Sequence, residues 1–167
     1  QTYTDFLQDV EKTFVGMEAD MLISILPIRA SGVETVELSP FKSLLVAHRD
    51  HPVHQSSKRW HVDELHEFSF LTIRGSRSQL GLSTAEFEES ASFFFSDFTS
   101  KKVAIQKKVG FGWLPEHMIE TELRSRVLQP VKWERTSVHE IRPVLGVRRS
   151  SQGGRAAQLV VEALRDI

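Results

Sequence analysis

The segment Arg74 to Ser78 of this 167-residue chain places several hydrogen-bond donors directly after a predicted strand. Its two guanidiniums, its two hydroxyls and the backbone N–H groups around its glycine could bind a carboxylate or a phosphate. The apolar run Phe68 to Ile73, directly before it, predicts a buried strand. Ligands of open α/β sheets bind beyond the carboxyl ends of strands. The segment therefore predicts an anion-binding loop, with a solvated basic turn as the alternative.

Five histidines fall within one polar stretch, and a cluster of this kind could hold zinc: His48, His51, His54, His61 and His66. Zinc ligands usually follow a defined spacing on a helix or a turn. His61 and His66 are five residues apart and do not share a helical face, and no HExxH motif is present. The spacing favours a solvated polar loop, so we expect no metal and no cofactor.

Candidates for catalysis are few. Ser96-Asp97 lies in no GxSxG elbow, and Asp97 is better placed as the N-cap of a helix over Thr99 to Lys108. On that helix Lys101 and Lys102 are expected to be solvated. Gly110-Phe111-Gly112 does not extend to GxGxxG, and the chain has no cysteine for thiolate chemistry. We predict no catalytic residue and hence a binding protein rather than an enzyme.

The composition of the chain argues against several other classes of protein. A formal net charge of -1 argues against a chain whose main task is to grip nucleic acid. No apolar run approaches the ~20 residues of a membrane helix, and residues 1–9 do not read as a signal peptide. The absence of cysteine fits a reducing compartment, so we expect a cytoplasmic location. Because the sequence begins without methionine, we expect it to be a piece of a longer protein.

The elements that must position these residues alternate between strands and helices, which predicts an α/β fold. Short apolar or alternating runs predict strands over residues 21–26, 33–38, 43–47, 68–73, 92–95, 110–114, 128–131 and 144–147. Helical spacing predicts helices over residues 6–14 and 99–108 and at the C-terminus after Gly153-Gly154. A further helix is predicted to begin at Pro115, which suits a first helical turn. The loop after Ile73 and the turn after Leu114 are the expected ligand positions.

One long segment resembles a known family. Ser96 to Lys102 followed by Val109 to Ile119 contains an aspartate, a helix, and a glycine-flanked strand that ends in Trp-Leu-Pro. This order resembles the effector-binding domains of LysR-type transcription regulators. Two other segments match the family's pattern at the corresponding positions. They are Val15 to Ile23, and Ser43 to Ala47 with the His-Pro turn that follows it. Ser125-Arg126 replaces the glycine that the family usually has there.

The resemblance implies two Rossmann-like lobes of the periplasmic-binding-protein type II kind, with a cleft between them. Residues 1–40 and 150–167 would form the first lobe, and residues 41–149 the second. The first lobe would be incomplete, because the family's first strand, first helix and second strand should precede residue 1. Apolar surface at Ile23, Ile25 and Val160 would then be exposed. The DNA-binding winged helix-turn-helix would also be absent from this chain.

The function that the resemblance implies is a sensor of a small-molecule effector, which acts on DNA through the missing domain and assembles as a homodimer or homotetramer. An anionic group of the effector would pair with Arg74 or Arg77. The expected ligand-binding residues of both lobes are Thr2, Thr4, Pro27, Thr72, Arg74, Ser76, Arg77 and Phe111. The alternative is a solute-binding protein of a transporter. An enzyme of a related two-lobed type lacks a base or nucleophile set.

Overall fold

The structure is a computed structural model that describes residues 10–16, 19–73, 87, 92–149, 159 and 162–164. The chain forms two compact units. Unit 1 comprises Gln1–Pro40 with Ile141–Ile167, and unit 2 comprises Phe41–Glu140. Within the described ranges, no helix combines the length and the apolar character that crossing a membrane requires.

Unit 1 is built on a three-stranded antiparallel sheet in the order β1-β9-β2. Its described elements are α1 (Val10–Gly16), β1 (Met21–Ser24), β2 (Val33–Glu37) and β9 (Val144–Arg148). The sequence analysis assigned residues 144–148 to the second lobe. They belong to unit 1 instead, because β9 is the central strand that joins β1 to β2. The chain therefore returns to unit 1 at Ile141 rather than after Arg149.

Arg148 at the end of β9 fixes the end of α1. Its guanidinium donates to the carbonyl oxygens of Phe14, at 3.0 Å, and Ala19, at 3.1 Å. The same group lies 4.8 Å from the centre of the Phe14 ring. An arginine at a helix C-terminus satisfies carbonyls that have no partner within the helix. Ile23 of β1 is 53% exposed, as expected from the sequence, whereas Val160 lies outside the described residues.

Unit 2 contains a mixed six-stranded sheet with the path β5-β4-β6-β3-β7, and β8 pairs with β3. β4 runs parallel to β5 and β6, whereas β3 is antiparallel to β6 and β7. The strands are β3 (Phe41–His48), β4 (Phe70–Ile73), β5 (Ser92–Phe95), β6 (Phe111–Pro115), β7 (Leu128–Pro130) and β8 (Val138–Ile141). The helices are α2 (Val62–Leu65), α3 (Phe98–Gln106) and α4 (Glu120–Arg124), with 3₁₀ turns at Pro52–His54 and Glu116–Met118.

Each face of this sheet packs a different core, because alternate residues of a strand point to opposite sides. The face that carries α3 has an aliphatic core of Leu44, Val46, Leu71, Ile105, Leu114, Ile119 and Leu128. The other face carries an aromatic cluster of Phe70, Phe87, Phe111 and Trp133. Phe87 stacks on Phe70 with ring centroids 4.7 Å apart. The two cores hold β4 and β6 rigidly between them.

Candidate functional site

The carboxyl ends of three parallel strands meet at one edge of the unit 2 sheet. β5, β4 and β6 run in the same direction and end at Phe95, Ile73 and Pro115. α3 begins three residues after β5, so its N-terminus also lies at this edge. Ligands of α/β sheets bind at such an edge, where the connections diverge. We call it the carboxyl edge.

Thr72 and Trp113 lie side by side on the face of the sheet that carries the aromatic cluster. β4 and β6 are in register at Phe70 and Phe111, and two residues further along each parallel strand are Thr72 and Trp113. Both side chains are buried, with 5% and 2% of their surface exposed. The ring of His139 packs on Trp113 with centroids 4.6 Å apart.

The indole N–H of Trp113 is buried and has no hydrogen-bond partner among the described residues. An unpaired donor of this kind costs about 1–3 kcal/mol. The indole nitrogens of the other two tryptophans donate to carbonyl oxygens, Trp60 to Val53 at 2.8 Å and Trp133 to Thr136 at 3.1 Å. Trp113 is therefore the exception, and it lies at the carboxyl edge.

Lys101 of α3 is buried at the same edge, on the helix face of the sheet. Its side chain is 3% exposed, and its ammonium donates to the carbonyl oxygen of Trp113 at 2.8 Å. Burial lowers the pKa of Lys101 to about 7. The prediction that Lys101 is solvated was wrong. The polar run Thr99 to Lys102 gives no sign of a buried side, and the burial depends on a strand that comes later in the chain.

Lys102 was also predicted to be solvated, and this was wrong as well. Its ammonium donates to the carbonyl oxygen of Met118 at 2.8 Å and lies 2.6 Å from a carboxylate oxygen of Glu122. Only 25% of its side chain is exposed. Lys102 thus joins α3 to the segment that leads into α4, and its charge is compensated.

Asp97 is the N-cap of α3, as predicted. Its carboxylate accepts hydrogen bonds from the backbone N–H of Ser100 at 2.8 Å and from the hydroxyls of Ser96 and Ser100. These bonds to Ser100 hold the pKa of Asp97 below its usual value, with the Ser96 hydroxyl adding to them. The carboxylate is committed to the helix end and is not a catalytic group beside Ser96.

Gly110 and Gly112 allow β6 to approach β4 closely. A Cβ atom on Gly110 would lie 2.1 Å from the carbonyl oxygen of Ser69, and one on Gly112 would lie 2.4 Å from that of Leu71. Both distances are shorter than any van der Waals contact. The two glycines therefore admit the backbone of the adjacent strand.

The predicted ligand-binding residues fall in different surroundings. Thr72 lies at the carboxyl edge, whereas Phe111 is fully buried in the aromatic cluster two residues earlier on β6. Pro27 is an exposed residue of unit 1. Five predicted residues lie outside the described part of the chain: Thr2, Thr4, Arg74, Ser76 and Arg77. Trp113 and Lys101, which the structure places at this edge, are not among the predicted ligand-binding residues.

The histidine stretch is polar and mostly exposed, as predicted, with the side chain of His61 73% exposed, but His51 is buried within it. His51 is 4% exposed, its Nδ1 accepts the backbone N–H of Val53 at 3.2 Å, and its ring lies edge-on to Phe68. Burial, followed by the neighbouring His54 and His48, lowers the pKa of His51 to about 4. Among the described residues, no group of three or more potential ligands is arranged to hold a metal ion.

We predict that acidification destabilises the fold through His51. Its pKa is about 4 when folded and about 6.5 when unfolded, so the unfolded state binds more protons between these values. The contribution of His51 to the free energy of unfolding is fully present above about pH 6.5. It is lost as the pH falls toward 4, by on the order of 2 kcal/mol. Urea unfolding across this window should show a smaller loss in His51→Asn, whose amide oxygen can still accept the Val53 N–H. An equal loss in both proteins would contradict the assignment.

In unit 2, a buried donor that is unpaired among the described residues lies at the carboxyl edge of parallel strands, and this arrangement is typical of a ligand-binding α/β domain. The comparisons with known proteins identify the family within that class. The model of the LysR substrate binding domain matches residues 4–167. The chain therefore belongs to this family, and its fold is of the periplasmic-binding-protein type II kind. No curated protein matches the sequence.

Solved structures agree with the family assignment. The regulatory domain of MetR, a LysR family regulator from N. meningitidis, superposes with a TM-score of 0.76 at 12% identity, over 98% of this chain and 77% of that one. The regulatory domain of CcmR from Synechocystis PCC6803, in complex with 2-PG, gives 0.73 at 16% identity, over 96% and 79%. Full-length LysG from Corynebacterium glutamicum with bound effector Arg gives 0.75 at 12% identity, over 98% and 55%.

The chain spans only about half of the full-length regulator. It is a ligand-sensing regulatory domain of the LysR type, and the alternative of a transporter's solute-binding protein is set aside by the family match.

Proposed function

We propose that the carboxyl edge of unit 2 is the wall on which this domain receives its small-molecule effector, and that the domain binds without catalysis. The observation that carries the proposal is the buried indole N–H of Trp113, which has no partner in the part of the chain that the structure describes. A polar atom of the effector at this edge would accept that hydrogen bond and remove the cost of the unpaired donor. Thr72, beside it, supplies a hydroxyl on the same face.

The residues that follow β4 complete this wall in the proposal. Arg74, Ser76 and Arg77 follow Ile73 in the sequence, and we propose that they supply further donors to the effector. Thr2, Thr4 and Pro27 are proposed as ligand contacts from unit 1 on the basis of the family resemblance. Phe111 is proposed to act indirectly, by supporting Trp113 from within the core.

The first experiment is a thermal-shift screen of small carboxylates, amino acids, phosphorylated metabolites and neutral polar compounds. A ligand that binds the native state raises its apparent stability, by about 2.7 kcal/mol at a hundredfold excess over Kd. Absence of any stabilising compound would contradict a sensing function for this domain.

For a compound found in this way, Trp113→Phe is expected to weaken binding by about tenfold. That is the effect of losing one hydrogen bond of about 1.4 kcal/mol while the aromatic packing is kept. Isothermal titration calorimetry measures it. Trp60→Phe is the matched control, because the indole N–H of Trp60 already bonds the carbonyl of Val53. Equal affinities for wild type and Trp113→Phe would remove Trp113 from the site, and Arg74→Ala and Arg77→Ala in the same titration test the loop.

We further propose that the whole protein is a cytoplasmic regulator that binds DNA through a separate domain and changes its oligomeric state with the effector. A homodimer or homotetramer agrees with the exposed apolar side chains of unit 2. Phe93 and Phe94 on β5 are 50% and 42% exposed, and Val103 on α3 is 48% exposed. Sedimentation of the full-length protein with and without effector tests this, and a monomer in both states would contradict it.

A further inference from the structure

We propose that Lys101 recognises an anionic oxygen of the effector, from a carboxylate or a phosphate, at the carboxyl edge between β4 and β6. The inference rests on the proposed function and adds the chemical class of the ligand and the residue that selects it. It also differs from the sequence-based hypothesis, which assigned the anion to Arg74 or Arg77.

The first support is a buried amine without an anionic partner among the described residues. Among the described residues, no carboxylate forms an ion pair with Lys101, and its ammonium donates to the carbonyl oxygen of Trp113 alone. Asp97, one helical turn earlier, uses its carboxylate to cap the helix. Buried ammonium groups are usually paired, because burying an isolated charge is unfavourable. We infer that the effector supplies the anionic partner that the described residues do not provide.

The adjacent lysine provides an internal comparison. Lys102 is on the same helix and is more exposed than Lys101, yet it has both a carboxylate, Glu122, and a carbonyl oxygen, that of Met118. Among the described residues, Lys102 thus has two acceptors, one of them anionic, whereas Lys101 has a single neutral one.

The second support is the space that the sheet leaves for Lys101. A Cβ on Gly112 would lie 2.9 Å from Cε of Lys101, so any other residue at this position would displace the lysine stem. Gly112 thus allows the stem to pass along β6, and the stem carries the ammonium to the Trp113 carbonyl. The ring of Phe98 lies 5.8 Å from the ammonium and adds an apolar side to its surroundings.

The third support is the location relative to the backbone. Three parallel strands end at this edge, and α3, which is nine residues long, begins there. The N-terminus of a helix carries a partial positive charge that favours anions. The ammonium of Lys101 and the indole N–H of Trp113 belong to opposite faces of the sheet at the same edge.

The melting temperature of Lys101→Met distinguishes a role of Lys101 in ligand recognition from a purely structural role. If Lys101 is a strut that ties α3 to β6, Lys101→Met lowers the melting temperature. If Lys101 is kept for ligand recognition, Lys101→Met removes an unpaired buried charge and leaves the melting temperature equal or higher.

The decisive experiment compares wild type, Lys101→Met and Lys102→Met in sodium acetate, sodium succinate and potassium phosphate, each against sodium chloride of equal ionic strength. Wild type is expected to melt about 3 °C higher in at least one oxyanion than in chloride. Lys101→Met should lose this difference, and Lys102→Met should retain it although its own stability is lower. The oxyanion that acts distinguishes a carboxylate from a phosphate ligand.

A shift that Lys101→Met retains would overturn the proposal, as would a wild type that responds to none of the three anions. If Lys101→Met does not fold, the ¹³Cε resonance of Lys101 in wild type replaces it, and a resonance that does not move on anion addition overturns the assignment. A neutral effector that binds wild type and Lys101→Met equally would remove the role of Lys101 and leave the sensing function intact.

Discussion

Gly110→Ala is expected to destabilise unit 2 by about 3 kcal/mol or more, which is above the usual cost of overpacking a core. The added Cβ would lie 2.1 Å from the carbonyl oxygen of Ser69 and 2.4 Å from Cδ1 of Leu71. The leucine can adjust, but the carbonyl cannot. It accepts the backbone N–H of Phe111 at 3.1 Å, the bond that joins β6 to β4. Relieving the clash would break the sheet at its centre.

Denaturant unfolding followed by circular dichroism measures this loss. Gly16→Ala is the matched control, because a Cβ on Gly16 would meet nothing within 4 Å. In the control the change is expected to be neutral or slightly favourable, since alanine restricts the unfolded chain more than glycine does. A Gly110→Ala protein as stable as wild type would mean that β4 and β6 are not held together at Ser69.

The positions of most strands could be predicted from the sequence, because their apolar runs are local signals. β8 was not predicted, since Val138–Ile141 carries two polar residues among four and forms only by pairing with β3. β9 was predicted as a strand but was placed in the wrong lobe. Its apolar residues indicate burial, whereas the choice of β1 and β2 as partners depends on residues more than a hundred positions away.

The position of the candidate site could be predicted from the sequence, but the side chains that define its chemistry could not. The end of β4 was identified as a ligand position, and Thr72 lies there. Lys101 was not identified, because a lysine in a polar helical turn normally indicates a solvated side chain. Its burial results from contact with Gly112 and Trp113, eleven and twelve positions later, and a local pattern does not encode such a contact.

Phe111→Ala is expected to cost about 4 kcal/mol of stability, the usual result of truncating a buried phenylalanine. Phe111 is fully buried, with its ring centroid 5.3 Å from that of Phe87 and 5.5 Å from that of Phe70. Phe87 in turn contacts Trp133, so the cavity would open in the centre of the aromatic cluster. Phe93→Ala is the matched control, because half of Phe93 is already exposed.

A second substitution at position 111 tests whether Phe111 is a core residue or a ligand contact. Phe111→Leu keeps most of the apolar volume and should cost less than about 2 kcal/mol. If Phe111 supports Trp113 from within the core, Phe111→Leu retains the thermal response to an effector found by screening. If Phe111 touches the effector directly, as the sequence suggested, Phe111→Leu loses that response while it stays folded. Unfolding curves and ligand titrations on one set of proteins therefore show whether the wall of the site begins at Trp113 or two residues earlier on β6.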